Sequence, residues 1–202
     1  MKRFLDISLT LAGLVLALPL MAVIALAVKL NSPGPVLFRQ VRVGRRGKDF
    51  TILKFRTMTV AAGAERGVFE PGNLKRVTRV GKFLRWSKLD ELPQLLNVLM
   101  GDMSLVGPRP EVRRWVEVYP ERWSVVLAVR PGITDPASII YRNEETLLAR
   151  ATDAETTYRD TVLPRKLKLY ENYVAHASVW GDLKILARTA AALLFHWDVA
   201  DE

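Results

Sequence analysis

From Ile7 to Val28 the chain is apolar almost without interruption; only Ser8, Thr10, Gly13 and Pro19 break the run. Such a run is close to the ~20 residues that cross a bilayer as a helix. A signal peptide has a shorter apolar region, roughly 7–15 residues, ending at small residues. Asn31-Ser32-Pro33-Gly34-Pro35 cannot continue a helix and marks the exit from this segment. The pattern then changes period. Val36 to Val43 and Phe50 to Met58 are rich in β-branched and aromatic residues around Gly44-Arg45-Arg46-Gly47-Lys48, which predicts a β-hairpin. Alternation puts Ile52, Lys54 and Arg56 on one face of the second strand and Leu53 and Phe55 on the other. Residues 59–74 have little periodicity and read as a surface loop.

Helical spacing returns at Leu92, Leu95, Leu96 and Leu99, so a buried helix is expected to begin near Asp90. Pro93 fits only its first turn, because an interior position would need the N–H that proline lacks. Asp90 and Glu91 then lie at a helix N-terminus, where free N–H groups and the dipole favour anionic groups. Neighbouring helical residues point in different directions. The two acids could serve as nucleophile and metal ligand, or simply as an acidic cap. The C-terminal third is helical: Pro164 opens one helix and Ser178 caps the last. Leu183, Leu186, Ala187, Ala190, Leu193, Leu194 and Trp197 form an apolar stripe there. Trp180 and Trp197 bracket it, suiting either a bilayer interface or a packed core.

Charge narrows the partners. Of 202 residues, 30 are Lys or Arg and 21 Asp or Glu, a net charge of +9. That favours an anionic membrane surface, phosphorylated substrates or nucleic acid. Aromatic residues are not interleaved with the basic runs, which argues against single-stranded nucleic acid. The absence of cysteine excludes disulfides and thiol catalysis. His176 and His196 are too far apart for a histidine metal site. Basic residues flank the apolar run on both sides: Lys2 and Arg3 before it, Lys29 and a series from Arg39 to Lys48 after it. Positive charge prefers the cytoplasmic side. A helix that bends at Pro19 and returns to the same face satisfies both flanks; a spanning helix is the alternative. Asp6, near the start of the run, is expected to pair with a basic residue.

Leu89-Asp90-Glu91-Leu92-Pro93-Gln94, Asn97-Val98, Gly101-Asp102-Met103-Ser104 and Gly107-Pro108-Arg109-Pro110 occur in that order. Together they resemble the core of the monotopic bacterial phosphoglycosyltransferases, the bacterial sugar transferase family. Gln40-Val41-Arg42-Val43-Gly44, Lys54-Phe55-Arg56-Thr57-Met58, Val129-Arg130-Pro131-Gly132-Ile133-Thr134 and Gly181-Asp182-Leu183-Lys184-Ile185-Leu186 extend the likeness over most of the chain. The resemblance implies an α+β fold: a re-entrant membrane helix-break-helix over 1–30, then a mostly helical, membrane-associated catalytic domain with a small β-hairpin over 31–202. It places the protein on the cytoplasmic face of the bacterial inner membrane, initiating glycoconjugate or polysaccharide synthesis.

The implied reaction moves a sugar phosphate from a UDP-sugar to a membrane polyprenyl phosphate. Asp90 would be the covalent nucleophile, and Mg²⁺ would be held by Glu91 and Asp90. Arg85, Arg109, Arg130, Lys54 and Arg56 would neutralise the diphosphate. A homodimer is left open. The chain departs from the family in two places. Leu18 stands before Pro19 where well-known members carry Ser, and Asp135-Pro136-Ala137-Ser138 replaces the common Gly-Leu-Ala-Gln. Two other functions fit the same residues: a metal-dependent membrane hydrolase of nucleotide sugars or lipid diphosphates, and a non-catalytic membrane scaffold.

Overall fold

The computed structural model describes residues 1–60 and 76–195. Most of the loop expected over 59–74, together with His196 and Trp197, lies outside the described residues. Helix α1 (Lys2–Asn31) is one continuous helix of 30 residues with Pro19 inside it. The expected helix-break-helix is thus not an interruption. Proline removes one donor and crowds the preceding turn, but the helix runs through it. Only 17% of its most apolar stretch is buried, so α1 is no core helix.

A hairpin follows. Strands β1 (Leu37–Val43) and β2 (Asp49–Phe55) pair antiparallel from Leu37↔Phe55 to Val43↔Asp49. Their connection turns through Arg46 and Gly47, both at positive φ. Both faces of β2 are covered. Phe55 packs with Ile24 and Val28 of α1 and with Leu84 of α2 (Arg79–Ser87). Ile52 packs with Met103 and with Val98 of α3 (Gln94–Met100). Thr78 caps α2, its hydroxyl accepting from the Gly81 N–H.

The second sheet was not expected from the sequence. Strands β3 (Ser104–Val106) and β4 (Gly132–Thr134) pair in parallel. The crossover between them holds α4 (Arg113–Val116) and α5 (Pro120–Val126). After β4 come α6 (Pro136–Ile140), α7 (Glu144–Arg150), α8 (Ala154–Thr157), α9 (Leu163–Ala175) and α10 (Val179–Phe195). The main core joins Trp115, Trp123, Tyr158, Leu163, Leu167 and Tyr170 beneath the crossover. Pro164 does lie in the first turn of α9. A π-helical segment (Tyr158–Val162) precedes it and makes the run from α8 continuous. Wider winding there accommodates a residue that cannot donate.

One expectation about a face changes. On α3 the buried residues are Gln94, Asn97 and Val98, whereas Leu96 and Met100 are 38% and 61% exposed. On α10, Asp182 and Ala192 are buried, and Leu183, Ala187, Ala190 and Leu193 are exposed. Leu186, also of the predicted stripe, is half-buried, and it lines a small cavity against α1 together with Leu183, while Trp180 is 67% exposed at the start of the helix. Ser178 does cap α10, its hydroxyl accepting from the Gly181 N–H. Among the described residues the fold is α+β, with long helices, one hairpin and one two-stranded parallel sheet.

Candidate active site

The turn that presents Asp90 is built tightly. Lys88 adopts a left-handed backbone (φ 58°, ψ 13°) and ends α2. A single 3₁₀ turn, Leu89–Glu91, follows, and α3 starts only at Gln94. Leu92 and Pro93 between them are right-handed, so the backbone stays helical from Leu89 to Met100. The acids thus sit in a 3₁₀ turn rather than at the start of a long helix. Some of its N–H groups are already used: Glu91 N–H bonds Lys88 O and Leu92 N–H bonds Leu89 O. The free donors expected there are correspondingly fewer.

Glu91 is the hub. Lys54 Nζ from β2 donates to its Oε1 at 2.9 Å. Arg109 donates to both carboxylate oxygens, with one bond of 3.3 Å to Oε2. Burial alone would raise the Glu91 pKa, but Arg109 and then Lys54 outweigh it and hold the carboxyl well below its usual range. The same pairing pushes Arg109 well above its ordinary value. Burial lowers Lys54, partly offset by Glu91.

Asp90 is different. It is 8% exposed, and its Oδ1 is buried with no hydrogen-bond partner. Burial raises its pKa; Lys54 opposes that and the Glu91 charge adds to it. The adjacent acids are thus pushed in opposite directions, as is common where two carboxyls have different chemical tasks.

Behind Arg109 the turn is locked. The Gly132 N–H donates to Pro108 O at 2.9 Å and Gly107 N–H to Thr134 O at 3.0 Å. A β-carbon on Gly132 would lie 2.1 Å from Gly107 N, so the two turns meet where side chains cannot fit. Glu111, next after Pro110, accepts from Arg42 at 3.1 Å and from the Tyr158 hydroxyl. Burial would raise Glu111, but Arg42 and Lys166 together hold it below its usual range. Arg109 therefore projects from a turn fixed on both sides.

The other expected site residues are elsewhere or engaged. Arg56 donates to Val28 O, Ser32 O and Pro33 O at 3.2, 2.7 and 2.5 Å, which caps the C-terminal end of α1. Arg130 donates to Gly101 O at 2.8 Å, at the end of α3 remote from Asp90. Arg85 bonds the Thr57 hydroxyl and forms an ion pair with Glu145, both at 2.9 Å. Asp6 does not find a cation: it accepts from the Ser104 hydroxyl and the Leu105 N–H. Of the cations at that end of α1, Lys2 pairs with Asp182 at 2.5 Å and Arg3 donates to Leu99 O.

Sequence reasoning missed two amides. Asn97 bonds the backbone of β2, accepting from Leu53 N–H and donating to Thr51 O. Gln94 is 1% exposed, and its Nε2 has no partner. The available signal was position, since Gln94 is four residues beyond Asp90, one helical turn on the same side.

Among the described residues no three His, Asp or Glu side chains converge. The Asp90-Glu91 pair nonetheless suits Mg²⁺, which is usually held by one or two carboxylates and completed by substrate phosphates. The orphaned Asp90 Oδ1 is the available ligand, while Glu91 would have to release Lys54 or Arg109.

The family model described as "Bacterial sugar transferase" matches residues 1–196. A UDP-N-acetylgalactosamine-undecaprenyl-phosphate N-acetylgalactosaminephosphotransferase of Aeromonas hydrophila is 39% identical over 96% of this chain and 43% of its own length. A UDP-glucose:undecaprenyl-phosphate glucose-1-phosphate transferase of Caulobacter vibrioides is 40% identical over 96% of this chain and 69% of its own. One of the same description from Escherichia coli is 41% identical over 94% and 39%. The chain thus spans less than half the length of two of these three relatives.

Proposed function

The chain belongs to the bacterial sugar transferase family, and from that membership we propose that it transfers a sugar 1-phosphate from a UDP-sugar to a polyprenyl phosphate through a covalent aspartyl intermediate. The observation that carries the mechanism is the buried, unpartnered Oδ1 of Asp90 beside two cations already held in place by Glu91. In the first step an Asp90 oxygen bonds the β-phosphorus of the donor, and the bond from that phosphorus to the bridging oxygen breaks. The nucleoside monophosphate leaves with the electron pair. In the second, a phosphate oxygen of the polyprenyl acceptor bonds the same phosphorus and the Asp90 carboxylate is released. No proton has to move in either step.

Dividing one displacement into two is the general gain of covalent catalysis. Lys54 and Arg109 supply the neutralising charge that phosphoryl transfer chiefly needs from a protein. When bound, Mg²⁺ held by Asp90 and Glu91 would add further charge neutralisation on the diphosphate. Arg85 reaches the donor only by leaving Glu145, and Arg56 and Arg130 serve the scaffold.

We place α1 in the cytoplasmic leaflet of the inner membrane as a re-entrant helix. Both its ends touch the same short stretch of chain. Arg3 donates to Leu99 O, while Ile24 and Val28 pack with Leu89 and Leu92. Residues 3 and 24 of a straight helix stand ~32 Å apart, against ~10–15 Å for residues 89–92 and 99. A bend near Pro19 would bring both contacts within reach of one helix. The exposed Trp180, Leu183 and Leu193 of α10 suit the bilayer interface, so the acceptor's phosphate arrives at the depth of Asp90.

The test is intact mass after incubation with Mg²⁺ and a panel of UDP-sugars without lipid. We expect a sugar-phosphate adduct on the wild type and none on Asp90→Asn. Steady release of free sugar phosphate without any adduct would identify a hydrolase instead. Neither adduct nor nucleotide release would leave the scaffold.

A further inference from the structure

Gln94 and Asp90 share one problem. Each is buried, at 1% and 8% exposure, and each leaves one polar atom unmatched: a donor, Nε2, and an acceptor, Oδ1. Leaving a buried polar group without a partner is costly, and native proteins carry few of them. The backbone between them is right-handed at Leu92 (φ −51°, ψ −38°) and Pro93 (φ −61°, ψ −18°). Gln94 thus follows Asp90 by four residues along one right-handed path that begins as a 3₁₀ turn. The donor and the acceptor are close in the chain, and neither is satisfied by the other.

We propose that Gln94 is a catalytic residue, whose Nε2–H binds a non-bridging oxygen of the phosphoryl group that Asp90 attacks. This rests on the covalent reading above. A phosphoryl group meets both needs at once: its phosphorus takes the carboxylate oxygen and its anionic oxygen takes the amide hydrogen. The choice of an amide also has a physical reason. A lysine or arginine one turn from Asp90 would pair with the carboxylate and hold it as an ion pair. A neutral donor leaves the nucleophile free and still binds negative charge as it moves onto the phosphoryl oxygens. The two nearby cations are kept from Asp90 by the same logic, since both donate to Glu91.

The experiment follows the rate of adduct formation by rapid quench and intact mass. It uses the full chain, Mg²⁺ and whichever UDP-sugar marks the wild type, with rates expressed per folded molecule. Gln94→Met keeps the volume and removes the donor. It is expected to form the adduct about 10²- to 10³-fold more slowly, the usual loss when one such donor is removed, with UMP affinity unchanged. Gln94→Glu keeps the shape and turns a donor into an anionic acceptor, so it is expected to be slower still; it also serves if Gln94→Met does not fold. Wild-type rates in the folded variants, with only thermal stability reduced, would show that the amide merely packs and would overturn the proposal. If the wild type itself acquires no adduct from any donor, the covalent reading fails and takes this assignment with it.

Discussion

Glu91 engages two cations while Asp90, one residue earlier, keeps an oxygen without a partner. This division predicts a pH dependence. On the proposed covalent mechanism Asp90 must be ionised to attack phosphorus, and burial raises its pKa. Adduct formation should therefore rise with pH along a limb above the ordinary aspartate range. Glu91, held well below its usual range, stays charged throughout that limb. Lys54 lowers the Asp90 pKa, so Lys54→Met should move the limb to higher pH in a rate–pH profile; an unmoved limb would assign it to another group.

At this scale the sequence was only partly legible. The acidic pair stood out as two adjacent carboxylates before a leucine-rich run. That Lys54 and Arg109, 37 and 18 residues away, meet at Glu91 depends on tertiary packing. A guanidinium gives no sign in sequence of which carbonyls it will find, and so Arg56 and Arg130 looked like Arg109. Gln94 and Asn97 were hidden for another reason: apolar periodicity assigns burial to leucines, and these amides are buried because they bond or face polar groups.

Among elements, the hairpin was readable because its period, its β-branched residues and its glycine-bounded turn agree. The β3–β4 pair was not, since three-residue strands leave no period to detect. The junction of α1 with the body depends on Arg56, which binds three carbonyls at the end of that helix. Replacing it by Met removes these bonds, two of them buried, at a cost of roughly 1–3 kcal/mol in all. We expect Arg56→Met to lower the melting temperature in detergent by about 5–10 °C. Asp90 should still form its adduct in the folded fraction, because the Arg56 guanidinium is taken up by carbonyls at the end of α1. An adduct lost with the fold intact would restore Arg56 to that site.

For the whole molecule, the long apolar helix was plain in the sequence, but its seating was not, because hydropathy is blind to which ends meet. Cysteine chemistry can test the re-entrant form cleanly, since the chain has no cysteine of its own. Phe4 and Leu30 are 73% and 78% exposed near the two ends of α1. Phe4→Cys and Leu30→Cys should both react with an impermeant maleimide in inverted inner-membrane vesicles, and neither in intact spheroplasts. Reaction from opposite sides would make α1 a spanning helix.

The bonds from Asn97 to β2 have a consequence for association between molecules. A two-stranded ribbon presents open N–H and C=O groups along its outer strand, which invite pairing with a foreign strand. The Asn97 amide occupies the Leu53 N–H and the Thr51 carbonyl, as one residue of a third strand would. A single side chain thus occupies two of the groups that the edge of β2 would offer to a foreign strand, and a strand adding there would have to displace the Asn97 amide.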